Sequence, residues 1–232
     1  MSRRDDIAAG YESVQARIAH AAQACGRDAS EITLVVVTKF FPASDVEILA
    51  ELGVRDVGEN RHQEAMTKAA QLGGLGLRWH YIGGLQSNKA AAVASYSDVV
   101  HSVDRTKLVD GLSRGAQARA RDLEVLVQVS LDPPDAVGRA GVDPSDLLQL
   151  AEQVVSAPHL NLRGLMAVAP LGEPPSKAFD RLAQIRARFL AEHPEAAWLS
   201  AGMSGDLEEA IAAGATHVRV GGAILGSRPA LP

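Results

Sequence analysis

The sequence predicts an α/β chain folded as a single (β/α)8 barrel, residues 1–232 forming one domain, with one extra helix ahead of the first strand. Three observations carry that prediction. Eight short apolar segments rich in Val, Ile and Leu alternate with segments of helical periodicity, the signature of repeated βαβ units. The strand segments are apolar on both faces, as a parallel sheet covered by helices requires. Eight such units in 232 residues suit a closed barrel, which typically needs ~250 residues. A doubly wound open sheet is the competing arrangement for the same alternation.

The elements follow in order. Residues 5–27 place Ile7, Val14, Ile18 and Ala22 at helical spacing and stop at Gly26. The run "ITLVVVT" is the first strand, and "PASDVEILAELG" is a helix with Pro42 at its start and Gly53 at its stop. The next pairs are strand "VRDVGEN" with helix "RHQEAMTKAAQLGG", strand "LRWHYIGG" with helix "SNKAAAVASY", and strand "DVVHSVD" with helix "RTKLVDGLSRGAQARA". Strand "LEVLVQVSL" leads into a Pro-, Gly- and Asp-rich loop at 132–144 and a helix at 145–157. Strand "LNLRGLMAVA", the helix at 174–193, strand "AAWLSAG", helix "GDLEEAIAAG" and a last strand "THVRVGGAIL" complete the set.

Composition narrows the function. The net charge is −5 and no basic cluster exceeds "MSRR", which argues against nucleic acid or an anionic membrane as partner. No apolar run reaches the ~20 residues that span a bilayer, and the first residues lack the apolar core of a signal peptide. The one cysteine, Cys25, excludes an intrachain disulfide, fits a reducing cytoplasm, and reads as a small buried hydrophobe near a helix end. No His, Asp or Glu set has metal-ligand spacing, so no metal is expected.

Active sites of such barrels lie where strands end and helices begin. Polar and glycine residues gather there. "SAGMSGD" and "RVGGA" follow the seventh and eighth strands, the pair of loops that recurrently holds phosphate in barrels. Ser204, Gly205, Gly221 and Gly222 are expected to grip an anion through a hydroxyl and through backbone amides that glycine leaves approachable. Lys39 ends the first strand. An ammonium in a barrel mouth is partly desolvated, which favours its neutral, nucleophilic form and imine chemistry with a carbonyl. The two features together call for a carbonyl compound bearing a phosphate. Pyridoxal 5'-phosphate (PLP) and a sugar phosphate both answer that description.

The motifs "VVVTKFFP", "VGENRHQE", "WHYIGGLQSNK", "HSVD", "GLMAVAP" and "LSAGMSGDLEEAIAAGATHVRVGGAILGSR" resemble, in this order, those of the pyridoxal phosphate homeostasis proteins, also described as alanine racemase N-terminal-domain-like. The resemblance runs from about Ile7 to Arg228. It implies a barrel of the fold type III kind, with Lys39 holding PLP as a Schiff base. It further implies that Met203 and Ser204 of "GMS", with Gly205, Gly221 and Gly222, hold the phosphate. Arg219 would face the pyridine nitrogen and Asn60 would lie beside the cofactor. An arginine there keeps the ring nitrogen unprotonated, since like charges repel, and so weakens the ring as an electron sink. Three positions depart from the family pattern. Gly84 stands where a histidine is usual, Arg139 where a lysine is common, and Gly222 where a threonine would add a hydroxyl.

The resemblance implies a role in buffering and delivering PLP, with PLP-dependent apoenzymes as recipients, while the acidic, aromatic-poor composition reads as a monomer and the single cysteine as cytoplasmic. The alternatives are a racemase-like amino-acid enzyme and a Schiff-base sugar-phosphate aldolase. Related racemases add a C-terminal β-rich domain and a catalytic tyrosine, whereas this chain stops at Pro232, and Tyr11, Tyr81 and Tyr96 do not read as that base. His80, flanked by Trp79 and Tyr81, reads as packed. Gln86, Asn88 and Lys89 start a helix at the rim, and His62 and His193 lie on helices facing water.

Overall fold

The computed structural model describes residues 2–133 and 141–227. Eight parallel strands close into a barrel in sequence order. They are β1 (Thr33–Val37), β2 (Asp56–Glu59), β3 (Arg78–Tyr81), β4 (Val99–Val103), β5 (Leu123–Gln128), β6 (Leu160–Met166), β7 (Trp198–Ser200) and β8 (His217–Val220). The helices are α1 (Arg3–Ala24), α2 (Ala43–Glu51), α3 (His62–Gln71), α4 (Ala90–Ala94), α5 (Thr106–Arg119), α6 (Leu147–Ser156), α7 (Pro175–Glu192), α8 (Leu207–Ala212) and α9 (Gly222–Leu225). Closure is settled by β1 pairing with β8 over four residues, Thr33 with His217 through Val36 with Val220. An open sheet would leave both as edges.

Apolar side chains on the outer faces of the strands meet the helix stripes. One buried cluster joins β3–β7 with α4–α7, and another joins α1 and α2 to β1 and β8. Each large side chain fully buried this way, such as Phe179, Phe189 or Leu49, contributes about 1.5–3 kcal/mol. A third cluster, Val99, Leu126 and Met166 against Trp198, lies inside the barrel.

The extra helix is real and begins earlier than its apolar spacing predicts. Ser2 caps it: the side chain accepts from the Asp5 amide, and Asp5 accepts from the Ser2 amide. Gly26 ends it at φ 72°. α1 packs hard on α9, because a Cβ at Gly10 would stand 2.6 Å from the Ile224 carbonyl oxygen.

Four local expectations are corrected. The last strand stops at Val220, and residues 222–225 turn into α9, because paired glycines release the extended backbone. Cys25 is exposed, its thiol directed at the carbonyls of Ala21 and Ala22. His193 is half-buried at the end of α7 against Phe189, and His62 stacks on Tyr96. Both imidazoles are held by a neighbouring ring instead of facing water. The stretch after β5 is not all loop, since Val142 bridges back to Val129. Arg139 lies outside the described residues.

Gly164 shows how tightly the barrel wall is drawn. Its φ is 151°, and an added Cβ would lie 1.9 Å from the Trp198 carbonyl oxygen on β7. Backbone cannot yield there as a side chain would. Gly164→Ala is therefore expected to destabilise the fold by more than about 3 kcal/mol, read as a lower midpoint in urea unfolding. An unchanged midpoint would show that β6 and β7 are not in contact at this point.

Candidate functional site

The β1–β8 seam carries the site. Arg219 pairs with Val35 and lies inside the barrel, buried to 5 %. Two residues on, Gly221 sits against β1, where a Cβ would be 2.9 Å from the Val37 carbonyl oxygen. A side chain would push the two strands apart, so glycine is required. Val37 pairs with Gly58 on β2, and both Val35 and Val37 lie within about 3–4 Å of where a Gly58 Cβ would be. These residues face inward. Lys39 follows the end of β1 and Asn60 the end of β2, so both lie at the C-terminal end of adjacent strands. On the other flank Ser200 pairs with His217, and the Arg219 amide donates to the Gly202 carbonyl. Ser204 lies in the turn after β7, and Gly221 and Gly222 follow β8, so these residues, with Lys39 and Asn60, all follow strand C-termini at one end of the barrel.

Lys39 sits in a braced turn. The Phe41 amide donates to the Thr38 carbonyl, with Lys39 and Phe40 between them, and Phe40 holds φ 70°. A non-glycine residue in that region is strained and is kept there by its neighbours. The brace is a buried ion cluster behind the strand. Lys68 on α3 spends its three N–H groups on the Thr38 carbonyl (2.8 Å), Glu59 Oε1 (2.7 Å) and Glu64 Oε1 (2.7 Å). Thr38 donates its hydroxyl to Glu59, and the Phe40 amide donates to Glu64. The residues on both sides of Lys39 are thus tied to one ammonium. Burial raises the Glu59 carboxyl above the ordinary range, opposed by the Lys68 charge.

The loop after β7 is held from outside. Arg17 on α1 clasps Glu208 through two hydrogen bonds and also donates to the Ser204 carbonyl. This neutralises a carboxylate close to the expected anion site. Asp206 accepts from the Met203 amide at 2.6 Å, so Met203 offers the site its side chain and not its N–H. That side chain, 39 % exposed, lines a hollow of about 390 Å3 with Gln128, Val168 and Leu171. Gly205 and Gly222 are exposed and have nothing within 4 Å of an added Cβ, so their backbone can be approached closely. The first amides of α9 have no partner within the helix.

Among the described residues Arg219 is a buried cation with no carboxylate in ion-pair contact, Asp206 attracting it from farther off. It donates to Ser200 Oγ (2.6 Å) and to the Ala167 carbonyl (3.0 Å), which leaves N–H groups to spare. Burial pushes its guanidinium down to about 10. This placement excludes an outward ion pair between Arg219 and an acidic helix residue.

Two groups escaped the sequence reading. Lys68 on α3 has an i,i+4 acid, Glu64, but nothing in the sequence marks a lysine as buried. The second is a line of buried polar side chains inside the barrel: Asp56, His80, His101 and Ser200. His80 is packed, as read, but both ring nitrogens are hydrogen-bonded. Strand parity was the signal available, since these residues share a face with Asn60, Gly202 and Arg219.

Residues 11–229 match the family described as "Alanine racemase, N-terminal domain". A relative from Mycobacterium bovis, named Pyridoxal phosphate homeostasis protein, is 43% identical over 97% of this chain and 94% of its own. A relative of the same name from Escherichia coli K12 is 39% identical over 97% of each chain. The solved structure of PipY from Synechococcus elongatus, with PLP bound, superposes with a TM-score of 0.81 at 35% identity, covering 95% of this chain and 100% of that one. D-threonine aldolase from Filomicrobium marinum shares the fold alone, with a TM-score of 0.72 at 15% identity over 100% of this chain and 64% of that one.

Proposed function

The chain belongs to the alanine racemase N-terminal domain family and, within it, to the pyridoxal phosphate homeostasis proteins, and from that membership we propose that it binds PLP and serves PLP homeostasis by holding the cofactor and passing it on. The observation that supports this reading is the β1–β8 pairing, which brings the end of β1, followed by Lys39, beside the end of β8, followed by Gly221 and Gly222. The residues present fit the cofactor. Asn60 Oδ1 is buried with no partner, open backbone stands at Gly205 and Gly222, and a donor-only guanidinium lies beneath.

When bound, PLP supplies an aldehyde that an amine can capture and a ring that withdraws electrons. Lys39 is the amine, presented by its braced turn. Ser204 donates its hydroxyl to the phosphate, and Gly205, Gly221 and Gly222 let backbone amides approach it. Arg219 donates to the pyridine nitrogen and keeps it unprotonated. Asn60 and Met203 flank the ring.

Holding is favoured over turnover by the placement of the tyrosines. Tyr81 and Tyr96 are both pushed above the ordinary phenol range by burial, so neither is suited to exchange a proton at neutral pH, and the Tyr11 hydroxyl accepts a hydrogen bond from Gln15 on α1. The working setting is a monomer in the cytoplasm that gives PLP to apoenzymes. No helix among the described residues is long and apolar enough to cross a membrane.

The test is an absorbance spectrum of the purified protein with PLP, before and after borohydride, followed by mapping of the modified peptide. Label on Lys39 is expected, and label elsewhere or none sinks the reading. A racemisation assay on the loaded protein separates carrier from enzyme. Ser204→Ala is expected to weaken PLP binding by about 1.5–3 kcal/mol, the worth of a hydrogen bond to a charged group. Spectroscopic titration measures it, and an equal affinity removes Ser204 from the phosphate grip.

A further inference from the structure

Four hydrogen bonds run the length of the barrel interior. Arg219 Nη1 is 2.6 Å from Ser200 Oγ, and Ser200 Oγ is 2.9 Å from His101 Nδ1. His101 Nε2 is 2.8 Å from His80 Nδ1, and His80 Nε2 is 2.8 Å from Asp56 Oδ1. Ser200 and His101 are fully buried, His80 nearly so.

With both imidazoles neutral, the Asp56 end orders the protons along this line. A guanidinium can only donate and a carboxylate can only accept. His80 therefore gives through Nε2 to Asp56 and accepts at Nδ1 from His101 Nε2, and His101 accepts at Nδ1 from the Ser200 hydroxyl, whose oxygen accepts from Arg219. Both imidazoles are neutral Nε2–H tautomers, and all four bonds point one way. Burial supports this by driving His101 well below its ordinary range and His80 down as well. At Asp56, burial works against ionisation, but the hydrogen bond from His80 and the charge of Arg78 oppose it and hold the carboxyl low. His217 stays out of the line: its Nδ1 faces Thr216 Oγ1 and its ring lies 4.5 Å from that of Trp198.

We propose that Asp56, at the closed end of the barrel, is a positioning residue that orients Arg219 through His80, His101 and Ser200 and so sets how firmly the guanidinium engages the cofactor's ring nitrogen. The proposal rests on the PLP reading. Bonds aligned in one direction polarise one another in a medium that screens little. An anion at the far end thereby strengthens the donation from Arg219 Nη1 and holds the guanidinium in one pose, its unused N–H groups toward the mouth. Without the chain Arg219 would keep only the Ala167 carbonyl.

Two measurements test this. In the protein without PLP, long-range 1H–15N spectra of labelled histidine should show His80 and His101 as Nε2–H tautomers. An Nδ1–H form of either overturns the chain. With PLP, a double-mutant cycle is read by titration and by the visible band. Asp56→Asn, which keeps shape and loses charge, should weaken binding roughly 2- to 30-fold, the span of coupling through a buried network, and should shift the band. In a Ser200→Ala background, where the line is already cut, the same substitution should change affinity less than 2-fold. Equal effects in both backgrounds, or an unshifted band in Asp56→Asn, defeat the proposal, since a merely structural loss moves both alike. Failure of the wild type to take up PLP would instead defeat the cofactor reading, while the tautomer spectra still judge the chain.

Discussion

Lys39→Ala leaves no borohydride-stable adduct and no imine band, while PLP is still held loosely by the loops after β7 and β8. The covalent link is expected to account for about 100-fold or more in affinity, ~2.7 kcal/mol. Thermal shift gives an independent reading. PLP at 100 times the wild-type dissociation constant adds about 2.7 kcal/mol to stability. The same concentration would only match the variant's constant and add ~0.4 kcal/mol. The variant itself should fold, because the turn is braced by Thr38, Phe40 and Lys68. An alanine variant that keeps the wild-type adduct would place the amine on another residue.

Lys68→Met strikes the brace itself. Lys68 and Glu59 are both nearly inaccessible, so removing the ammonium strands a buried carboxylate beside a second one at Glu64. Breaking a buried pair from one side costs about 3–5 kcal/mol, or roughly 10 °C in melting temperature for a chain of this size. The loss depends on pH in a stated direction. Glu59 already titrates above its ordinary range because of burial, with Lys68 opposing the rise. Without Lys68 the rise is larger. A carboxyl raised by folding adds stability when protonated, fully below its unfolded value, and that stability is lost as pH rises through the folded value. The variant's deficit should therefore shrink on acidification toward the ordinary carboxylate range and grow toward neutrality. Adding Glu59→Gln should recover part of it at pH 7, since the stranded charge is gone. A deficit independent of pH, with no recovery in the double variant, would mean the cluster is not as buried as the geometry has it. Because Lys68 also holds Thr38, PLP capture by Lys39 should slow even in the folded fraction.

Why the mouth was legible while the barrel interior was not follows from particular residues. Gly221 and Gly222 stand out in a strand sequence because glycine there needs a reason, and a lysine after seven apolar or β-branched residues does too. His80, His101 and Ser200 gave no such cue. Each lies within an apolar strand, where one polar residue is ordinarily satisfied locally. Their partners are 21 and 99 residues away, and no local pattern encodes such pairing. The end of β8 was missed for a related reason: "GGAIL" extends the apolar run, but α1 presses on the Ile224 backbone through Gly10 and seats it as a helix.

The sequence by itself determined the eightfold alternation, the leading helix and the chemical identities at the strand ends, because periodicity and residue type are local properties. Tertiary structure alone decided that β1 meets β8, that Lys68 is buried under the Lys39 turn, and that a carboxylate on β2 is wired to Arg219. Those outcomes depend on closure and register, which bring together residues far apart in the chain and fix the direction in which each proton must point.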